Sequence, residues 1–169
     1  MKDRAMKLFF ELLKDSKRSD RELAKVLGTS QPTVTRMRNK LVRDGLIQQF
    51  SIIPDFQKMG FEIMAISSLK TKISPKSIEK AKQLTISRPN IIFAATAEGM
   101  GKNTVLISIH KNYLDYSNFC HDLLQESGDC IESYDSLLIS LEGAILKPFS
   151  LKYLAELNEA SPQTQNVQP

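Results

Sequence analysis

Ser19 to Ile47 reads SDRELAKVLGTSQPTVTRMRNKLVRDGLI, and this stretch decides the fold of the first part of the chain. Ser19 is followed three residues later by Glu22, the capping-box pair that satisfies free N–H groups at a helix start. Leu23, Ala24 and Leu27 form one apolar side, and Gly28 closes the helix by allowing a left-handed cap. Only Gly28 and Thr29 precede the next cap, Ser30. Pro32 falls in the first turn of the following helix, where its missing N–H does no harm. Val34, Met37 and Leu41 make a narrow inner stripe, while Gln31, Thr33, Thr35, Arg36, Asn39, Lys40 and Arg43 remain mostly outward. Asp44-Gly45 stops the helix. Two short helices across a Gly-containing turn read as a helix-turn-helix. In that motif the second helix lies in the major groove and presents its N-terminal side chains to base edges. Gln, Asn and Arg make bidentate contacts there, and Thr offers a hydroxyl to a base or a methyl to thymine. The competing reading is a plain three-helix bundle with a polar outer face. The short turn, the dense caps and the basic outer surface favour DNA.

Upstream, a first helix is expected from about Asp3 to Asp15, with Met6, Phe9, Phe10 and Leu13 as its inner stripe. Downstream, Leu46 to Pro54 reads as extended, Pro54-Asp55 as a turn, and Phe56 to Gly60 as a connection. Residues 1–60 hold 13 Lys and Arg against 7 Asp and Glu, whereas residues 61–169 hold 10 against 12. A cationic surplus confined to one end suggests two units with different partners, and suits a phosphate backbone through counterion release. At 169 residues the chain has room for one or two domains. With 41% hydrophobic and 25% charged residues, disorder along the whole chain is excluded. No apolar window is long enough for a membrane span, and the charged N-terminus does not read as a secretory signal. Two cysteines, Cys120 and Cys130, make no disulfide framework, which points to a reducing cytoplasm.

The rest predicts strand, helix, strand, strand, helix, strand. Phe61 to Lys72 is a strand, and Ser74-Pro75 opens a helix with Ile78, Ala81 and Leu84 inward. Ile91 to Ala97 is a buried strand that hairpins through Glu98–Asn103 to a strand at Thr104–His110. Asn112 caps a helix with Tyr116, Cys120, Leu123 and Leu124 inward, ended by Gly128. Ile131 to Glu142 is the last strand, with Leu137, Ile139 and Leu141 alternating. The order βαββαβ is ferredoxin-like, so the fold class is α+β: an N-terminal winged helix-turn-helix, then a ferredoxin-like domain. The expected divisions are residues 1–47, a linker strand and connection at 48–60, a sheet domain at 61–145, and a C-terminal segment at 146–169. Two helices cover one sheet face. The other needs a partner, either a second sheet or the segment SLKYLAEL at 150–157. After Ala160 the tail SPQTQNVQP is expected to be disordered.

Residues 21–61 resemble the leucine-responsive/asparagine-regulatory (Lrp/AsnC) transcription factors. The matching elements are Glu22-Leu23-Ala24, Gly28, Ser30, Thr33-Val34, Leu41, Gly45-Leu46-Ile47, and Pro54 with Gly60. One departure is an inversion: where the family usually has Arg it has Met37, and where the family is usually apolar it has Arg38. The second half resembles the RAM domain that follows the helix-turn-helix in these proteins. The resemblance implies sheet-to-sheet pairing of two subunits, binding of pseudo-palindromic duplex DNA as a dimer or higher oligomer, and no cofactor. Gln31, Thr33, Thr35, Arg36 and Asn39 would face bases, with Ser30 capping that helix. Lys40 and Arg43 would touch phosphates along with Arg18 or Arg21, and Arg38 is a further candidate. The turn Glu98-Gly99-Met100-Gly101-Lys102 corresponds to one that helps line an amino-acid effector pocket in the family. Lys102 stands there in place of an acid.

Other chemistry finds little support. The turn at 98–102 lacks the spacing of a phosphate loop. Cys120, His121, Cys130 and His110 have no zinc-ligand spacing, and no nucleophile–His–acid arrangement is evident. The chain is therefore not expected to be an enzyme. The alternatives are a tetrapyrrole-pathway decarboxylase-like enzyme, for which His110-Lys111-Asn112-Tyr113 is a weak match, and an effector-binding scaffold with a vestigial DNA module.

Overall fold

The computed structural model describes residues 2–143 and 145–160. Its elements are α1 (Lys2–Lys14), α2 (Asp20–Leu27), α3 (Gln31–Arg43), β1 (Ile63–Thr71), α4 (Pro75–Ile86), β2 (Ile91–Gly99), β3 (Lys102–His110), α5 (Tyr113–Ser127), a 3-10 turn (Gly128–Cys130), β4 (Ile131–Ser140) and α6 (Lys152–Ala160). They divide into two units: Met1–Ile53 together with the stretch from Lys147, and Pro54–Leu146.

The first unit closes a core of its own from Leu8, Leu12, Leu23, Ala24, Val34, Met37, Leu41 and Ile47. The capping box forms as expected: the Ser19 hydroxyl accepts the Glu22 N–H at 3.3 Å, and the Glu22 carboxylate accepts the Ser19 N–H at 2.8 Å. Gly28 takes φ 58°, a left-handed conformation that costs a side-chain-bearing residue about 1–2 kcal/mol. The inner stripe of α3 is Val34, Met37 and Leu41, all buried.

The phase of α1 differs from expectation. Ala5, Leu8, Phe9 and Leu12 face the core, whereas Met6 is 37% exposed. The helix carries apolar residues on two sides, and α6 occupies the second. Ala155 of α6 is fully buried, and Glu159 pairs with Lys14 at 2.5 Å. The segment at 150–157, one of the two covers considered for the sheet, thus packs in the first unit instead. The polar tail lies outside the described residues. The strand expected near 48–53 joins no ladder among the described residues; only Ile47 enters the core, and Ile52 is almost fully exposed. An extended segment becomes a strand only when a neighbouring edge takes its N–H and C=O groups.

The second unit is a four-stranded antiparallel sheet in the order β2-β3-β1-β4, the ferredoxin-like arrangement of a βαββαβ chain. On its helix side, Leu69 and Leu106 pack with Phe119 and Leu123 of α5. Side chains alternate along a strand, so registered partners share a face. Phe93, Ile107, Ile66 and Leu137 are in register across all four strands and form an apolar row. Phe93 is 50% and Leu137 71% exposed, so this row lies on the opposite face.

Three expectations need correction here. β2 is an edge strand and mostly exposed, not a buried one. α4 keeps Leu84 inward as expected but turns Ser77 and Lys80 inward in place of Ile78 and Ala81, with Ser77 Oγ donating to the Lys72 carbonyl at 2.6 Å and Lys80 Nζ to the Ser127 carbonyl at 3.1 Å. In α5, Phe119 joins Tyr116 and Leu123 in the interior, while Leu124 is exposed.

Candidate nucleic-acid interface

The outward face of α3 is the candidate surface. Ser30 starts the helix through its backbone: its carbonyl accepts the N–H groups of Thr33 and Val34, both at 3.1 Å. Its hydroxyl bonds Thr33 Oγ1 at 2.9 Å instead of the helix backbone. The inversion at 37 and 38 leaves the helix rotation intact, since Met37 enters the core and Arg38 lies at the edge of the α2–α3 contact.

The expected DNA-facing residues fall into three groups. Arg21, Gln31, Arg36 and Asn39 are exposed, and their side chains have no hydrogen-bond or ion-pair partner among the described residues. Lys40 and Arg43 are exposed but share Asp44, at 2.6 Å and 3.9 Å respectively. The Lys40 hydrogen bond holds the Asp44 carboxyl below its ordinary range. Arg18, Thr35 and Arg38 are engaged inside the unit. Arg18 pairs with Glu11 at 2.5 Å, and Glu11 also takes Lys14 at 2.8 Å. Those cations, Lys14 foremost, pull the Glu11 carboxyl down against the upward push of burial.

Asp20 gathers the remaining two. Its Oδ2 accepts the Thr35 hydroxyl at 2.6 Å, and its Oδ1 accepts Arg38 Nε at 2.8 Å. Burial pushes the Asp20 carboxyl up, but Thr35, Arg38 and the charge of Arg38 outweigh it and hold the group below the usual aspartate value. Arg38 also donates to the Arg18 carbonyl at 3.2 Å, and its guanidinium stands 5.9 Å from the Phe50 ring centroid. Neither Asp20 nor Phe50 was among the sequence candidates. Asp20 reads as ordinary helix-start acid, and no periodicity connects it to a residue 18 positions on.

The turn at 98–102 joins β2 to β3. Gly99 (φ 150°) and Gly101 (φ 71°) take the conformations expected of glycine, and Met100 between them is also left-handed at φ 50°. Lys102 bonds the Ser133 hydroxyl at 2.7 Å and pairs with Asp135, leaving its side chain only 15% exposed. The charge of Lys102 is thus already matched within the sheet. Glu98 at the end of β2 and Met100 at the tip are both exposed.

Residues 1–48 match a family model described as winged helix-turn-helix DNA-binding. An uncharacterised HTH-type transcriptional regulator of Pyrococcus horikoshii, PH0061, is 28% identical over 80% of this chain and 89% of its own length. Its crystal structure superposes with a TM-score of 0.74, covering 87% of this chain and 95% of that one at 26% identity. The HTH-type transcriptional regulator LrpC of Bacillus subtilis is 32% identical over 53% of this chain and 60% of its own. An AsnC family transcriptional regulator of Agrobacterium tumefaciens shares the fold at a TM-score of 0.77, with 18% identity over 89% of this chain and 94% of that one.

Proposed function

We propose that this chain is a transcriptional regulator of the Lrp/AsnC type and that it binds duplex DNA as a pair of subunits. Each α3 lies in a major groove of a pseudo-palindromic site, with half-sites about 34 Å or a multiple apart. The observation that carries this reading is the unpaired, exposed set Gln31, Arg36 and Asn39 on the solvent side of α3. These are the residue types that read base edges. Arg21, Lys40 and Arg43 meet phosphates, the last two by exchanging Asp44 for the backbone. The row Phe93, Ile107, Ile66 and Leu137 supports pairing of two copies through the open sheet face, since a row this apolar is costly to leave wet.

Fluorescence anisotropy on genomic duplex fragments tests the reading. If six to ten phosphates are contacted, affinity falls by about three to five decades between 50 and 200 mM salt. Binding that ignores salt, or fails on every fragment, defeats it.

The turn at 98–102 supports a second part of the proposal, a small effector such as an amino acid. Asp135 neutralises Lys102 within the chain, so the lysine need not repel a ligand ammonium group. Isothermal titration against an amino-acid panel tests this; absent heats throughout remove the effector.

A further inference from the structure

We infer that Asp20 sets the pose of the recognition helix, acting through Arg38 and Thr35, and that Arg38 is a positioning residue and not a DNA contact. The inference rests on the DNA-binding reading and concerns how that surface is held.

Asp20 is the first residue of α2, and the two residues it binds are three positions apart on α3. Residues so spaced share a helix face, so one carboxylate grips α3 at two points about a turn apart. Two points on one rod fix its rotation as well as its distance. The grip extends further through Arg38. The same guanidinium takes the Arg18 carbonyl ahead of the α2 cap and stands by Phe50 in the segment after α3. Four stretches of the unit converge on it: the turn before α2, the start of α2, α3, and the tail that follows α3.

Arg38 and Asp20 each keep only 19% of their side-chain surface exposed, so little water competes for the pair. Releasing Arg38 to a phosphate would leave Asp20 facing α3 as an unpaired anion beside polyanionic DNA. Thr35 is engaged by the same group. A hydroxyl has one proton, and here it points to Asp20 with the Gln31 carbonyl 3.2 Å away. The hydrophobic stripe alone supplies neither contact. Val34, Met37 and Leu41 hold α3 against the core by packing that has no preferred direction, whereas the bonds to Asp20 at its partly exposed edge are directional.

Two variants separate positioning from contact. Asp20→Asn keeps the shape and removes the charge. Arg38→Lys keeps a charge for a phosphate but loses the forked donor geometry that spans Asp20 and the Arg18 carbonyl. If Asp20 positions the helix, both variants lower duplex affinity about tenfold at a temperature where they remain folded. Both keep the wild-type dependence of log affinity on log salt. If Arg38 instead touches a phosphate, Asp20→Asn tightens binding by removing a repulsive charge, Arg38→Lys binds nearly as wild type, and Arg38→Ala shallows the salt slope by about one. If the pair only stabilises the fold, unfolding midpoints drop while affinity for duplex holds. Either of the last two results overturns the inference. Failure of the unaltered chain to bind any duplex would sink the DNA-binding reading instead. In that event the thermal double-mutant cycle of Asp20→Asn and Arg38→Lys still decides whether the grip exists: non-additive midpoints uphold it, and additive midpoints remove it.

Discussion

The two units solve the same burial problem in different ways. The helical unit folds its apolar residues inward against one another and turns a polar, cationic helix to solvent. The sheet unit buries only one of its faces and leaves Phe93, Leu137 and Ile139 open on strands that are otherwise well paired. The contrast teaches that an exposed surface carries meaning through its chemistry. Unpaired amides and guanidinium groups suit a hydrated, charged partner. Unpaired isoleucine, leucine and phenylalanine suit a second apolar surface.

The largest expected effect comes from attacking the open sheet. Leu137→Lys places a charge at the exposed end of the apolar row, on the edge strand β4. Light scattering should show the chain falling to a monomer, and duplex affinity should drop by about 10²–10⁴-fold as the second helix loses its tether. A variant that keeps its mass in solution would dissolve the contrast, since the sheet face would then need no partner. Next in size is the core of the helical unit. Leu23 is fully buried, so Leu23→Ala should lower stability to urea by about 2–5 kcal/mol. Arg36→Ala should leave stability untouched and cost about 1–3 kcal/mol of binding, with relaxed sequence preference in a randomised duplex pool. An unchanged preference would remove Arg36 from the base-reading set.

The smallest effect concerns His110. It is fully buried beneath α5, bonded through Nε2 to the Ser108 hydroxyl at 2.8 Å. Its Nδ1 is the one buried side-chain polar atom without a hydrogen bond among the described residues. Burial pushes its pKa down, with the Asp115 carboxylate pulling the other way. The unfolded chain therefore takes up this proton first. Stability contributed by the neutral ring is full above about pH 6.5 and falls as pH drops below that value. His110→Gln should flatten that part of the pH profile in thermal unfolding, and an unaltered profile would show that the ring does not titrate differently on folding.

Much of the helical unit was legible because its signals are local. A cap, a positive-φ glycine and a three-residue stripe each act within one or two turns, and α2 and α3 follow them. The βαββαβ order was legible for the same reason. What escaped depends on contacts distant in sequence. The phase of α1 could not be read because two apolar sides compete and only α6, far along the chain, decides between them. The inner face of α4 carries Ser77 and Lys80 beside the expected Leu84, because the serine reaches the Lys72 carbonyl and the lysine finds the end of α5, which no hydrophobic pattern encodes. The exposure of β2 follows from its place at the sheet edge. In the candidate site, the helix face was legible and the division of labour upon it was not. Whether an arginine is free or engaged depends on an aspartate from another helix.

The return of α6 to the helical unit has a further consequence. Its docking on α1 is a contact between segments far apart in one polypeptide, held at high local concentration by the intervening sheet unit. A single proteolytic cut among the exposed residues Ile145, Leu146 and Phe149 would convert that contact into an encounter between separate molecules. One nick, far from α1 in sequence, would then strip a helix from the unit that carries α3 without altering a single side chain there.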